Sequence, residues 1–358
     1  MASSSDFHEK PFDEGTLTKL HILELYARAW LPVFLARESP TFTEIHIYDF
    51  FAGPGADPIG QPGSPLRLLS QLDQVRHLPG WANVKVHAHF SDADADKIAL
   101  LRTRISDLGS STAGIEFDIE PLRFEEAFER SRHIRQNRKV AKLLLIDQCG
   151  VSYVTSEVFE QLVGAPTCDF LFFLSSSTLN RFHDHPAITQ KITRPDDPHL
   201  VHRAATDYYR SLLPAGARYH LAPFSIKKGA NIYGLIFGSG HPLGMAKFLD
   251  VAWAEDQVNG EADFNINRDN ILPGQPRLFE ATKLGMFKDE LTHLLRSGAV
   301  LNERSVIEVC FKHGVRPQHA EPVLTQLKRE GTIDLSFRVP QVKNFAQPRL
   351  IHIKDRSR

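Results

Sequence analysis

The sequence predicts an α/β protein: a mostly parallel sheet closed by an antiparallel hairpin, followed by a smaller helical domain. Three observations predict it. Between residues 45 and 174, short apolar β-rich runs alternate with stretches of helical periodicity, giving five strand-then-helix units. Two further β-rich runs, 218–226 and 232–237, are joined only by Lys227-Lys228-Gly229-Ala230-Asn231, which is a hairpin spacing and not a helical crossover. Residues 280–358 then hold three helical segments and two short β-rich runs.

Each element has its own warrant. Leu17, Leu20, Leu23, Tyr26, Trp30 and Phe34 recur at helical spacing and predict an amphipathic first helix of about five turns. Residues 45–50 read as the first strand and 63–72 as the start of the next helix. Residues 84–90 form the second strand, which ends in Ser91-Asp92 and leads into a helix over 95–105. A short third strand over 115–119 precedes a helix over 124–132. Residues 140–146 (VAKLLLI) are apolar almost throughout, as a central strand covered on both faces requires, and residues 170–174 repeat that signature.

The domains are expected at 1–254 for the α/β body, 255–279 for a linker rich in Asn, Asp, Gly and Pro, and 280–358 for the C-terminal domain. In the last, helices are expected at 281–296, 303–312 and 318–330, with Asn302 and Pro317 at helix starts and Gly298, Gly314 and Gly331 at or near helix ends. With a strand pair at 332–337 and 349–353, that is a winged-helix pattern.

Composition bounds the function. The chain of 358 residues has a formal net charge of −1, which argues against coating a nucleic acid along its whole surface. The balance is uneven, however. Residues 280–358 carry 14 Lys and Arg against 9 Asp and Glu, while the rest carries 28 against 34. A basic tail on an acidic body leaves nucleic-acid binding through the tail open beside protein docking. The candidate contacts are Arg316, Arg338, Lys343 and Arg349 around a recognition helix whose own charges cancel. Cys149, Cys168 and Cys310 stand far apart with no CxxC pair, which fits a reducing compartment. With no apolar run of spanning length and no targeting pattern at the N-terminus, a cytoplasmic protein away from membranes is expected.

The chemistry concentrates at strand ends. Asp49-Phe50-Phe51-Ala52-Gly53-Pro54-Gly55 follows the first strand, and its glycines allow a sharp turn close to a ligand. Pro54, Pro58 and Pro62 keep the chain extended until Gly63-Ser64-Pro65, so no helix starts where a dinucleotide's pyrophosphate would sit. Asp92 ends the second strand, where a carboxylate accepts ribose hydroxyls. Asp94 and Asp96 read as acids of a helix's first turn. Asp118 and Glu120 flank the end of the third strand, with Glu120 the better placed for an adenine. Together with the hairpin, these features favour the Rossmann-like methyltransferase version of the sheet and S-adenosylmethionine (SAM) as ligand.

Asp147-Gln148-Cys149-Gly150 ends the fourth strand. It lacks the prolines and adjacent aromatic of an amino-N methyl-transfer site, although Tyr153 lies close by. Cys149 offers a thiol, but with nothing basic nearby to activate it, it reads more simply as a small semi-buried side chain. His183-Asp184-His185 has alternate spacing without a third ligand at recognisable distance, so no metal is expected. The candidate cofactor residues are therefore Asp49, Phe51, Ala52, Gly53, Gly55, Ser64, Asp92 and Glu120. The candidate catalytic pair is Asp147 and Gln148.

The chain also resembles the three-Cys-motif partner protein family, a group of methyltransferase-like prokaryotic proteins. The matching pieces are Lys19-Leu20 with Tyr26, Tyr48-Asp49 through Gly55, Gly63-Ser64-Pro65-Leu66, Ser91-Asp92, Ile146-Asp147 with Gly150, residues 233–239 with His241, and Leu278-Phe279 leading into the C-terminal segment. The likeness covers most of the chain, and its FAGPG and GSPL pieces are the most specific. It implies a Rossmann-like methyltransferase fold and a phage-type, radical-SAM-like partner whose cysteines, not those of this chain, give the family its name. It carries Asp49, Gly53, Gly55 and Asp92 over as cofactor-site residues and Asp147 as the strand-four acid. The family tends to show Asp-Pro-aromatic-Gly at that acid, so Gln148-Cys149 is a departure that bears on catalysis more than on binding.

Overall fold

The computed structural model describes residues 10–147, 153–174, 201–217, 219–228, 231–255 and 283–354. Seven strands, β1 (Glu44–Asp49), β2 (Lys85–Ser91), β3 (Ile115–Glu120), β4 (Val140–Ile146), β5 (Cys168–Leu174), β6 (His220–Lys228) and β7 (Asn231–Ser239), form one sheet in the order β3-β2-β1-β4-β5-β7-β6. The first five pair in parallel, and β7 runs antiparallel to both β5 and β6. The sheet is Rossmann-like with an antiparallel closure, as the hairpin spacing predicts. Gly229 and Ala230 of that connection lie outside the described residues, as do Gln148, Cys149, Gly150, His183, Asp184, His185 and the expected linker from residue 256 onward.

All seven positions of β4 are buried, because helices cover both faces. On one face Ile45, Ile47, Val86, Ala88, Leu143 and Leu145 meet α1 (Glu14–Leu35), α2 (Ser64–Val75), α3 (Ala95–Asp107) and α8 (Pro242–Glu255). On the other, Tyr48, Phe50, Leu144, Ile146, Phe170 and Phe172 meet α4 (Phe124–Arg130), α6 (Ser156–Val163) and α7 (Val201–Ser211). The first helix starts at Asp13, whose carboxylate accepts from the Thr16 N–H at 2.8 Å, and it is anchored on the sheet by Tyr26, whose hydroxyl donates to Asp169 at 2.6 Å. One expectation is corrected locally. The helix expected over 124–132 is two, α4 and the four-residue α5 (Arg132–Arg135), separated at Ser131.

The C-terminal segment comprises α9 (Lys283–Ser297), α10 (Glu303–Lys312), a 3-10 turn at Pro317–Ala320, α11 (Glu321–Arg329) and an antiparallel pair, β8 (Ile333–Leu335) with β9 (Ile351–Ile353). Its strands are shorter than expected, and its third helix begins as the 3-10 turn. The segment shares a core with the body. Trp253, at the end of α8, is buried, donates its indole N–H to the Gly314 carbonyl at 3.0 Å and packs edge-on against His319. Arg210 of α7 donates to the Lys312 carbonyl at 3.0 Å, and His220 packs edge-on against Phe311.

Candidate functional site

The turn after β1 is fixed from three sides. The Ala52 N–H donates to the Ser91 carbonyl at 2.9 Å, and the Gly53 N–H donates to Asp92 Oδ2 at 3.1 Å. These bonds tie the turn to the end of β2. The Gly63 N–H donates to the Gly55 carbonyl at 2.7 Å and so sets the start of α2 against the same turn. Gly53 and Gly55 have φ of +59° and +85°, the left-handed region where a Cβ is strained. At Gly55 a Cβ would also lie 2.7 Å from Leu101 of α3.

Between the turn and α2 the chain reverses; it is not extended as its prolines suggest. Buried Asp57 accepts from the Ile59 and Gln61 N–H groups at 3.1 and 2.8 Å, and from the Phe12 N–H at 2.9 Å, so the segment before α1 clamps the reversal. The absence of a helix N-terminus directly after the glycines holds: α2 begins only at Ser64.

Asp49 is the most unusual group of the site. Its side chain is buried, and Oδ1 accepts from the Phe51 N–H at 3.1 Å. Oδ2 is buried with no hydrogen bond of ordinary geometry, although Ser64 stands close enough to favour the ionised form. Burial pushes the Asp49 pKa up to about 7, and the nearby charges of Asp147 and Asp92 push the same way, while Ser64 and the Phe51 N–H pull it down. Asp147 is held in an ion pair with Lys19 of α1, whose ammonium also lies 5.0 Å from the Phe173 ring centroid. Lys19, Leu20, Leu23, Asp49, Ser64, Leu145, Asp147 and Phe173 line a narrow cleft at this end of the sheet.

Asp92 is half-buried. Besides the Gly53 N–H on Oδ2, it accepts from the Asp94 N–H on Oδ1 at 3.0 Å. A carboxylate has about four acceptor positions, so both oxygens retain capacity toward a ligand. Asp94 caps α3, as its sequence position suggests, accepting from the Asp96 and Lys97 N–H groups. Glu120 sits beside Ser91 in register and pairs with Arg130. Phe51 stacks on Phe124, and Tyr153 meets both edge-on at 5.3 and 5.5 Å, forming a half-buried aromatic cluster next to the turn.

The structure thus brings Asp49, Phe51, Ala52, Gly53, Gly55, Ser64, Asp92 and Asp147 to one end of the sheet, with Glu120 at the neighbouring strand end. Lys19, Asp57 and Phe124 are the local residues that sequence reasoning did not place there, while Tyr153, noted near the strand-four acid, packs against the aromatics beside the turn. Of the four basic residues expected to face a polyanion, three are engaged: Arg349 with the buried Glu303, Arg338 with Glu321, and Arg316 over the Trp253 ring at 5.8 Å.

No family model matches the chain, and no curated protein sequence is similar to it. Among solved structures it is similar to a SAM-dependent methyltransferase from Agrobacterium tumefaciens, at 8% identity, covering 63% of this chain and 62% of that one, with a TM-score of 0.35. It is also similar to a spermidine synthase in complex with the transition-state analogue AdoDATO (15% identity, 61% of each chain, TM-score 0.33). A third is the human methyltransferase 10 domain containing protein (8% identity, 65% and 85%, TM-score 0.30). The fold assignment itself rests on the strand order. Among the described residues, no helix is long and apolar enough to cross a membrane.

Proposed function

We propose that the chain binds SAM in the turn at residues 49–55 and is a methyltransferase-like protein whose methyl acceptor is a nucleic acid or a partner-bound substrate. The observation that carries this reading is the orphaned, buried Oδ2 of Asp49, backed by the carboxylates of Asp92 and Asp147. A ligand with a cationic amine and a sulfonium suits three carboxylates around one turn; a pyrophosphate does not. Asp49 would take the amine of the methionine half, Asp92 the ribose hydroxyls and Glu120 the adenine end. Phe51, Phe124 and Tyr153 offer a stacking surface.

A second reading is an accessory subunit that holds SAM without turnover. It is favoured by the Lys19 ion pair, which occupies the strand-four acid that would otherwise orient an acceptor. The resemblance to three-Cys-motif partner proteins adds a radical-SAM-like protein as its partner. Residues 280–358 fit a winged helix in the order of their elements, and we assign them the docking role, toward nucleic acid or protein.

Calorimetry with SAM on wild type and Asp92→Ala tests the common part: no heat from wild type sinks both readings. Transfer of a labelled methyl group from SAM to RNA, DNA or a co-purified protein then separates them. The shared core makes deletion of 280–358 a poor probe of docking. Charge reversal at exposed Arg338 and at Lys343, read as the salt dependence of RNA or DNA binding, is the cleaner one.

A further inference from the structure

A second cluster of ionisable groups lies at the other end of the same strands, and the proposed function does not use it. Glu44 and His46 alternate on β1, so they share a face, and His87 on β2 is the register partner of His46. Glu44 Oε2 is 3.1 Å from His46 Nε2 and 3.9 Å from His87 Nε2; one ligand atom from each of the three residues lies within 4.8 Å of the others. The two imidazoles stack in nearly parallel planes, their centroids 4.2 Å apart at an 11° angle. His87 Nε2 is buried and has no hydrogen-bond partner.

The outer contacts decide what the cluster needs. His46 Nδ1 lies 2.9 Å from His89 Nε2, and His89 Nδ1 lies 3.4 Å from Asp118 Oδ2. The chain Glu44–His46–His89–Asp118 therefore has three contacts, each requiring one proton between its partners. Two neutral imidazoles supply two. With Asp118 accepting from His89 and His89 accepting from His46, the lone pair of His46 Nε2 faces the Glu44 carboxylate with nothing positive between them. His87 is oriented in the same manner, with Nδ1 3.4 Å from Glu116 Oε2 and Nε2 left toward Glu44. The surrounding charge, Glu44, Glu116 and Asp118 against Lys85, is negative.

We propose that Glu44 Oε2, His46 Nε2 and His87 Nε2 bind a divalent first-row cation, Zn2+ by donor set, bridging β1 and β2. Two imidazoles and a carboxylate within this spacing match a three-ligand zinc site with a fourth position open to water. The far ring nitrogens are held as ligating imidazoles usually are, His46 Nδ1 by its hydrogen bond with His89 and His87 Nδ1 by its contact with the Glu116 carboxylate.

The test is calorimetric titration of the chelator-stripped full-length chain with Zn2+ alone. We expect one Zn2+ per chain. Glu44→Gln and His87→Gln, both at positions open enough to tolerate exchange, weaken binding by more than about 100-fold, the upper end of what losing an outer hydrogen-bond partner costs. His89→Gln weakens it by about 10–100-fold. A His183→Asn/His185→Asn double variant binds as wild type, which assigns the metal to β1 and β2. Absence of Zn2+ binding by wild type overturns the proposal, as does undiminished binding by both Glu44→Gln and His87→Gln in protein shown folded by circular dichroism.

Discussion

Replacing Asp49 with Asn should make the ligand-free protein more stable, and increasingly so as pH rises. The folded Asp49 carboxyl ionises only at about 7, whereas an unfolded Asp ionises near 3.9. Between those values the folded state holds the proton and the unfolded state does not, so raising the pH favours unfolding. Asp49 thus contributes no penalty below about pH 4 and its full penalty above about pH 7. About three pK units at 1.36 kcal/mol each give about 4 kcal/mol, an upper figure because burial here opens onto a cleft. Asn keeps the acceptor for the Phe51 N–H and has no charge to bury. Asp169, also pushed up by burial, to about 6, titrates in the same window, but it is common to both proteins and cancels in the difference. Urea unfolding of wild type and Asp49→Asn at pH 4, 5, 6, 7 and 8 measures the effect. The stability difference should grow in favour of the variant by up to about 4 kcal/mol from pH 4 to pH 8. A difference that stays constant to within about 1 kcal/mol refutes the placement of Asp49 and the argument for a cationic ligand built on it. The same variant should lose SAM affinity, since the stabilised group is the one that would meet the amine.

Further outcomes follow from single contacts. Gly55→Ala meets both a left-handed φ and Leu101 at 2.7 Å, so it should cost about 1–3 kcal/mol of stability and at least about tenfold in SAM affinity by calorimetry. Lys19→Met leaves the charge of Asp147 uncompensated beside Asp49; the pH at which SAM affinity rises should move up by as much as one unit or so, and an unchanged pH profile counts against the coupling. Arg349→Ala strands the fully buried Glu303 carboxylate, which otherwise accepts from Arg349 Nε at 2.8 Å and from the Gln341 N–H at 2.7 Å. A loss of about 3 kcal/mol or more in guanidinium unfolding is expected, and Glu303→Gln in the same background should recover part of it.

The sheet was legible because its strands carry their environment in their residues: β4 is apolar throughout since both faces are covered, and the bare five-residue connection announced the antiparallel closure. The glycine turn and Asp92 were legible because backbone conformation and strand-end position constrain residue type locally. What stayed hidden depends on register or on distant partners. Lys19 meets Asp147 across 128 positions, a pairing no local pattern encodes. Glu44 and His46, like His87 and His89, alternate visibly, but each pair alone reads as the polar face of a half-buried strand. Only the pairing of His46 with His87 turns them into one cluster. The basic residues of the C-terminal segment were countable, but the engagement of Arg349 by Glu303, Arg338 by Glu321 and Arg316 by the Trp253 ring was not.

The seating of Trp253 on Gly314 and His319 has a consequence for how such a chain can be modified or inherited. A tail that merely hangs from a linker can be exchanged as a cassette, with its target changing and its catalytic body untouched. Here the body's last helix spends its largest side chain on the tail, so each half presents the other with a surface that must match in shape. Swapping the tail would open a hydrophobic wound in the body, and the C-terminal helices belong to the same packed core as the sheet that carries the glycine turn.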